Sequence, residues 1–165
     1  MTIQENKRQQ KLERDWKTMI VISHDFFHSW RRAVSEKYGD AAMEQLTYRF
    51  WELIGQNTAA QYKKGKVDSA SAEQLARAVA RSSEIMGETV RVEQEGDAWL
   101  LIHDACPWIK SYQQAGYPGQ CRSGCDKWFS ATVAELASGI AVETTACLAD
   151  GDKWCIRKFY TKLTE

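Results

Sequence analysis

The sequence predicts an α+β fold in which N-terminal helices pack on an antiparallel sheet of at least four strands, formed mainly by two hairpins. Three observations carry that expectation. Apolar residues from Leu12 to about Met86 recur at three- and four-residue intervals, whereas the segments TVRVEQEGDAWLLIHDA and GIAVETTACLADGDKWCIRKFYTKL alternate around acidic-glycine turns. Helices followed by hairpins, without the strand-helix alternation of a parallel sheet, place the chain in that class.

The first eleven residues, polar and highly charged, read as an N-terminal arm, and residues 12–165 as one α+β domain. Leu12, Trp16, Met19, Ile20, Phe27, Trp30 and Val34 mark the apolar face of a first helix. Gly39 stops it, and Asp40 is expected to cap a second helix carrying Met43, Leu46, Phe50, Trp51, Leu53 and Ile54 to about Tyr62. KKGKVDSASAEQ is a solvated connection in which Ser69 or Ser71 caps a third helix with Leu75, Val79 and Met86, ended by Gly87.

The first hairpin turns at Gln94-Glu95-Gly96-Asp97 and is followed by a short helix, WIKSYQQAG, broken at Tyr117-Pro118-Gly119. CDKWFSATVAELASG then forms a helix starting near Asp126, with Gly116, Gly119 and Gly124 permitting bends before it. The last hairpin turns at Asp150-Gly151-Asp152, where the carboxylates serve local backbone donors. A tight turn there sets Cys147 nearly opposite Cys155.

Composition excludes several functions. Lys and Arg number 22 and so do Asp and Glu, which leaves no positive field of the kind that gathers nucleic acid. No apolar run reaches the roughly 18–20 residues of a membrane span, and the start lacks the apolar core of a secretory signal. The expected setting is the cytoplasm, where five cysteines are working thiols or ligands rather than a disulfide framework. The expected partner is a small organic substrate or ligand, with no nucleic acid and no membrane, and self-association into a homo-oligomer stays open. P-loop, dinucleotide and GxSxG patterns are absent.

The chemistry concentrates in CPWIKSYQQAGYPGQCRSGCDKWF, residues 106–129, which holds three of the five cysteines and both prolines. Cys106 lies where a strand leaves the sheet, and Cys125 near an expected helix start, whose backbone N–H groups favour a thiolate. Either is a candidate nucleophile. Cys106, Cys121 and Cys125 are also candidate ligands for a transition metal, although no CxxC occurs and no cofactor is otherwise indicated. For Cys147 and Cys155 packing or pocket lining is the favoured use. His28, four residues from His24, and His103 are candidate proton carriers. Trp30, Trp108 and Trp128 are candidate walls for a substrate.

The stretches WRRAVSEKYGDAAMEQLTYRFWELIG, HDACPW, CRSGCDKW and TTACLADGDKWCIRKF resemble the L-2-amino-thiazoline-4-carboxylic acid hydrolase-like family over roughly residues 28–160. At greater distance the chain is similar to 4-vinyl reductase-like ligand-binding domains. The first resemblance implies a hydrolase acting on a carbon–nitrogen bond of a small cyclic amidine, thiazoline or amide-like substrate, with the namesake ring opened by water to a carbamoyl-cysteine. It also implies a clamp for the substrate carboxylate, for which Arg122 is the candidate. The second implies a sensory domain for a small molecule or metal. Another cysteine-dependent lyase or redox enzyme is the third expectation.

Overall fold

A computed structural model describes residues 2–67, 71–137 and 139–162. Among these residues the fold comprises five α-helices and an open four-stranded antiparallel sheet: α1 (Ile3–Tyr38), α2 (Asp40–Lys64), α3 (Ala72–Ile85), β1 (Thr89–Glu95), β2 (Ala98–Ala105), α4 (Pro107–Gln114), α5 (Gln120–Leu136), β3 (Ile140–Ala146) and β4 (Cys155–Thr161). It is the α+β arrangement that the periodicities predict. No helix among the described residues is long and apolar enough to cross a membrane.

Residues 3–11, expected as part of an arm, are instead the first turns of α1. Thr2 accepts the Glu5 N–H, and the Glu5 carboxylate accepts the Thr2 N–H, a reciprocal cap that starts the helix early. The straight-chain Gln, Lys and Arg residues that follow suit a solvated helix, so charge does not prevent it. Further along, Trp16 Nε1 ties α1 to the Ile85 carbonyl at the end of α3. Asp40 does not cap α2. Gly39, at φ +85°, occupies the single joint between the helices, and the Asp40 carboxylate accepts from Ser35 instead. At the third helix Ser71 is the cap, accepting the Gln74 N–H, while Ser69 lies outside the described residues.

The hairpins join through their inner strands, giving the order β1-β2-β4-β3. Leu101 of β2 and Phe159 of β4 pack with Leu75 and Val79 of α3 and with Phe129 and Val133 of α5 to fill the space over the sheet. A second cluster, Phe27, Trp108, Tyr112 and Cys121, with Trp51 against it, closes α1 and α4 onto the helical side. The last hairpin carries a short 3-10 turn, Leu148–Asp150, and the Asp152 carboxylate accepts the Cys147 N–H at 2.7 Å.

Gly124 lies inside α5 rather than at a bend. A Cβ there would stand 2.8 Å from the Trp51 ring and 3.1 Å from the Tyr112 hydroxyl. On the facing helix a Cβ at Gly55 would lie 2.6 Å from the Trp128 carbonyl oxygen. These two glycines let α2 and α5 approach, which sets the depth of the space between the helices and the sheet. Backbone cannot yield as a side chain does, so in Gly55→Ala overpacking should outweigh the gain in helix propensity. The expected net loss is about 1–2 kcal/mol, read as a lower urea midpoint; an unchanged midpoint would mean that the helices part freely.

Candidate functional site

A cavity of about 310 Å³ lies between the helical layer and the sheet. Its walls are largely apolar and aromatic: Trp51 and Ile54 of α2, Met86 after α3, Trp108 and Ile109 of α4, and Trp128 and Phe129 of α5. All five cysteines reach it, together with Glu88, His103 and Arg157. Apolar walls with a few convergent polar groups are the usual form of a small-molecule site.

His103 projects from β2, and its Nε2 stands 3.0 Å from Glu88 Oε2 and 3.3 Å from Ser83 Oγ. A carboxylate beside Nε2 holds the proton on that nitrogen and leaves Nδ1 as the basic atom. Nδ1 is buried and has no protein partner. Glu88 is placed by the tight exit of α3, where Gly87 at φ +83° turns the chain into β1.

Arg157 projects inward from β4, whose alternation buries Cys155, Arg157 and Phe159 on one side. Arg157 is 2% exposed. It meets the Ala146 carbonyl at 3.4 Å and the Asp126 carboxylate at 3.9 Å, lies over the Phe129 ring, and keeps Nε without a partner. Burial works against its charge, but Cys125, Cys155, Asp126 and Cys147 together raise its pKa. A buried cation so sparsely bonded retains capacity for an anion.

The cysteines differ by environment. Burial pushes the Cys106 thiol up, with Glu88 and Cys125 adding to the effect, so Cys106 enters as a neutral thiol. Cys125 is lowered, first by a hydrogen bond from Cys121 and then by the charge of Arg157. Free N–H groups at a helix start, the expected source of that effect, are not its cause: α5 begins at Gln120, after the break at Pro118, so Cys125 is a turn inside the helix and away from them. Cys147 is lowered by a hydrogen bond from Cys155, the Ala149 N–H and Arg157.

Of the candidates chosen from sequence, Cys106, Cys121, Cys125, His103, Trp108 and Trp128 line the cavity. Three others sit elsewhere. Arg122 has a side chain 42% exposed and pairs with Asp150 and Asp126, the turn having drawn it outward. Trp30 packs on Phe27 and Phe50 at the outer surface of α1. His28 bridges α1 to α4: Ser111 Oγ, which donates to the Trp108 carbonyl, accepts from Nε2, and Nδ1 accepts from Arg31. Among the described residues no group of three or more His, Cys, Asp or Glu side chains is arranged to hold a metal ion. Cys106, Cys121 and Cys125 therefore share a wall without forming a ligand set. Glu88 and Arg157 escaped the sequence reading, although the alternation Cys155-Arg157-Phe159 carried a signal for the second.

The bridge at His28 has a consequence for acid stability. Burial, then the Arg31 charge, lowers its pKa to about 4, and burial lowers that of His24, which stacks on Trp108. Both depressed histidines bind protons in the unfolded chain first, so stability is full above about pH 6.5 and falls as pH drops toward 4. Urea midpoints measured from pH 7.5 to 4.5 should decline over that window, and His28→Gln should flatten the decline.

A family model described as L-2-amino-thiazoline-4-carboxylic acid hydrolase matches residues 19–159. No protein of curated function matches the chain. In fold it is similar to a trafficking protein particle complex subunit 3 from Naegleria fowleri covalently bound to palmitic acid, with TM-score 0.60, 13% identity, and coverage of 89% of this chain and 97% of that one. It is also similar to the phenol-responsive sensory domain of the transcription activator PoxR, solved with phenol, with TM-score 0.54, 14% identity, and coverage of 84% and 74%. At such identities these likenesses concern the fold alone.

Proposed function

The chain belongs to the L-2-amino-thiazoline-4-carboxylic acid hydrolase family, and on that premise we propose that its cavity takes a compact cyclic amidine bearing a carboxylate and hydrolyses a carbon–nitrogen bond in it. The observation that carries this reading is the pairing of a Glu88-oriented His103 with an under-bonded Arg157 guanidinium in one apolar chamber. Arg157 binds the carboxylate. The His103–Glu88 pair takes a proton from water as its oxygen adds to the amidine carbon, and returns a proton to the leaving nitrogen; Glu88 stabilises the imidazolium between the two transfers. Trp108 and Trp128 hold the ring and exclude bulk water. Cys125 is available as an alternative nucleophile, whereas the neutral Cys106 thiol serves as wall and weak donor.

The test is incubation of the purified protein with L-2-amino-thiazoline-4-carboxylate, following carbamoyl-cysteine by mass spectrometry. Turnover lost in His103→Gln supports the reading. Absence of turnover with retained, saturable quenching of tryptophan emission favours the second reading, a ligand-binding domain without catalysis. The aromatic walls favour that alternative, as do fold relatives whose structures hold palmitic acid and phenol.

A further inference from the structure

We propose that Cys147 and Cys155 form a dithiol site that undergoes exchange with small organic disulfides admitted to the cavity, closing to a Cys147–Cys155 disulfide. The hydrolytic reading uses neither sulfur, and the inference is independent of it. Ala146 pairs with Ile156, so the next step outward sets Cys147 against Cys155 where the two strands diverge. Residues directly opposite on antiparallel strands have Cα atoms about 4.5–5.5 Å apart, within the roughly 4.4–6.8 Å that a disulfide spans. Their sulfurs are 3.7 Å apart, with the Cys155 thiol directed at Cys147.

The surroundings give the two sulfurs unequal roles. Cys147 is held toward thiolate by the Cys155 thiol, the Ala149 N–H and the charge of Arg157. Cys155 is held toward the protonated thiol, first by its hydrogen bond to Cys147, and accepts the Leu148 N–H at 3.2 Å. Both face the cavity although little of either is exposed on the outer surface, so a reagent must be small enough to enter. This is the division between an attacking and a resolving cysteine.

The exchange balances in two steps. The Cys147 thiolate attacks one sulfur of R–S–S–R, that bond breaks, and its electron pair leaves on RS⁻, giving a mixed disulfide on Cys147. Cys155, losing its proton to the departing thiolate, attacks the Cys147 sulfur and expels the second RS⁻. Two protein thiols are oxidised, one organic disulfide is reduced to two thiols, and the protons released by the cysteines end on the two RSH molecules. The Cys121–Cys125 pair is less suited, because residues four apart on a helix project side by side with parallel Cα–Cβ bonds.

The full chain, reduced and freed of reductant without air, is exposed to bis(2-hydroxyethyl) disulfide. It is then quenched in acid, denatured, treated with N-ethylmaleimide and mapped by mass. The expected first product carries linked Cys147 and Cys155 peptides and three alkylated cysteines, and Cys155→Ser stops at a mixed disulfide on Cys147. Reaction at Cys147 should be at least about tenfold faster than at the buried neutral Cys106. A first bond between Cys121 and Cys125, or a Cys147 that stays alkylatable while other cysteines have reacted, overturns the proposal. The wild-type map decides this even if the serine variant fails to fold.

Discussion

Glu88→Gln is expected to lower kcat/KM for L-2-amino-thiazoline-4-carboxylate by about a hundredfold or more, with most of the loss in kcat. The substitution keeps the size of the side chain and its ability to meet His103 Nε2, now 3.0 Å from the carboxylate, but removes the negative charge. Without that charge the imidazolium formed during proton transfer loses its counter-ion, and the amide can also present its NH₂ and invert the tautomer. General acid–base groups contribute about 10²–10⁴ in rate, and loss of the orienting carboxylate should cost a substantial part of that. His103→Gln should cost at least as much, and the double variant little more than His103→Gln alone, since groups acting as a unit are not additive. Steady-state kinetics on the three variants, with near-UV circular dichroism to establish folding, make the check. Two independent, additive losses would mean that Glu88 does not act through His103.

The fold was legible in the sequence because its signals are local. Three- and four-residue spacing exposed the helices, and acidic-glycine turns between alternating segments exposed both hairpins. The opposition of Cys147 and Cys155 also followed from turn position alone, and the sulfurs lie 3.7 Å apart. What failed was local competition between similar caps. Thr2 and Glu5 extended α1 into a segment whose charge resembled an arm, and Gly39 took the joint expected for Asp40. Gly124 reads as a bend because a glycine required by a neighbouring ring looks the same in sequence as one required by φ.

The site was legible in part for a different reason. Cysteine and histidine announce their chemistry by residue type, so Cys106, Cys125 and His103 drew attention before any geometry was known. Glu88 and Arg157 are two of forty-four charged residues, 22 acidic and 22 basic; pairing across the fold separates Glu88 from solvated ones, and for Arg157 the alternation with Cys155 and Phe159 is the one local signal. Arg122 is the one arginine that the sequence reading names as a carboxylate clamp. The chain instead brings Arg157 to the cavity cysteines from β4, while Arg122 turns outward to Asp150.

That exchange of arginines yields the second large effect. Arg157→Met should raise the Kd for the carboxylate substrate by about 30- to 1000-fold, as expected for removing one partner of a buried, charge-assisted contact. Titration of the emission from the cavity tryptophans measures it directly. The specific readout is discrimination: wild-type protein should prefer the carboxylate to its uncharged carboxamide, and Arg157→Met should lose that preference. Arg157→Lys should restore part of the affinity through charge alone, without the planar fork that grips two oxygens. The same cation favours the thiolate of both Cys125 and Cys147, so Arg157→Met should also shift their alkylation profiles to higher pH, whereas Arg122→Met, whose charge acts on Cys147 alone of the two, should leave the Cys125 profile unchanged. Substrate preference and thiol reactivity should therefore move together at Arg157; a variant that changes only thermal stability would reduce this guanidinium to a packing element of β4.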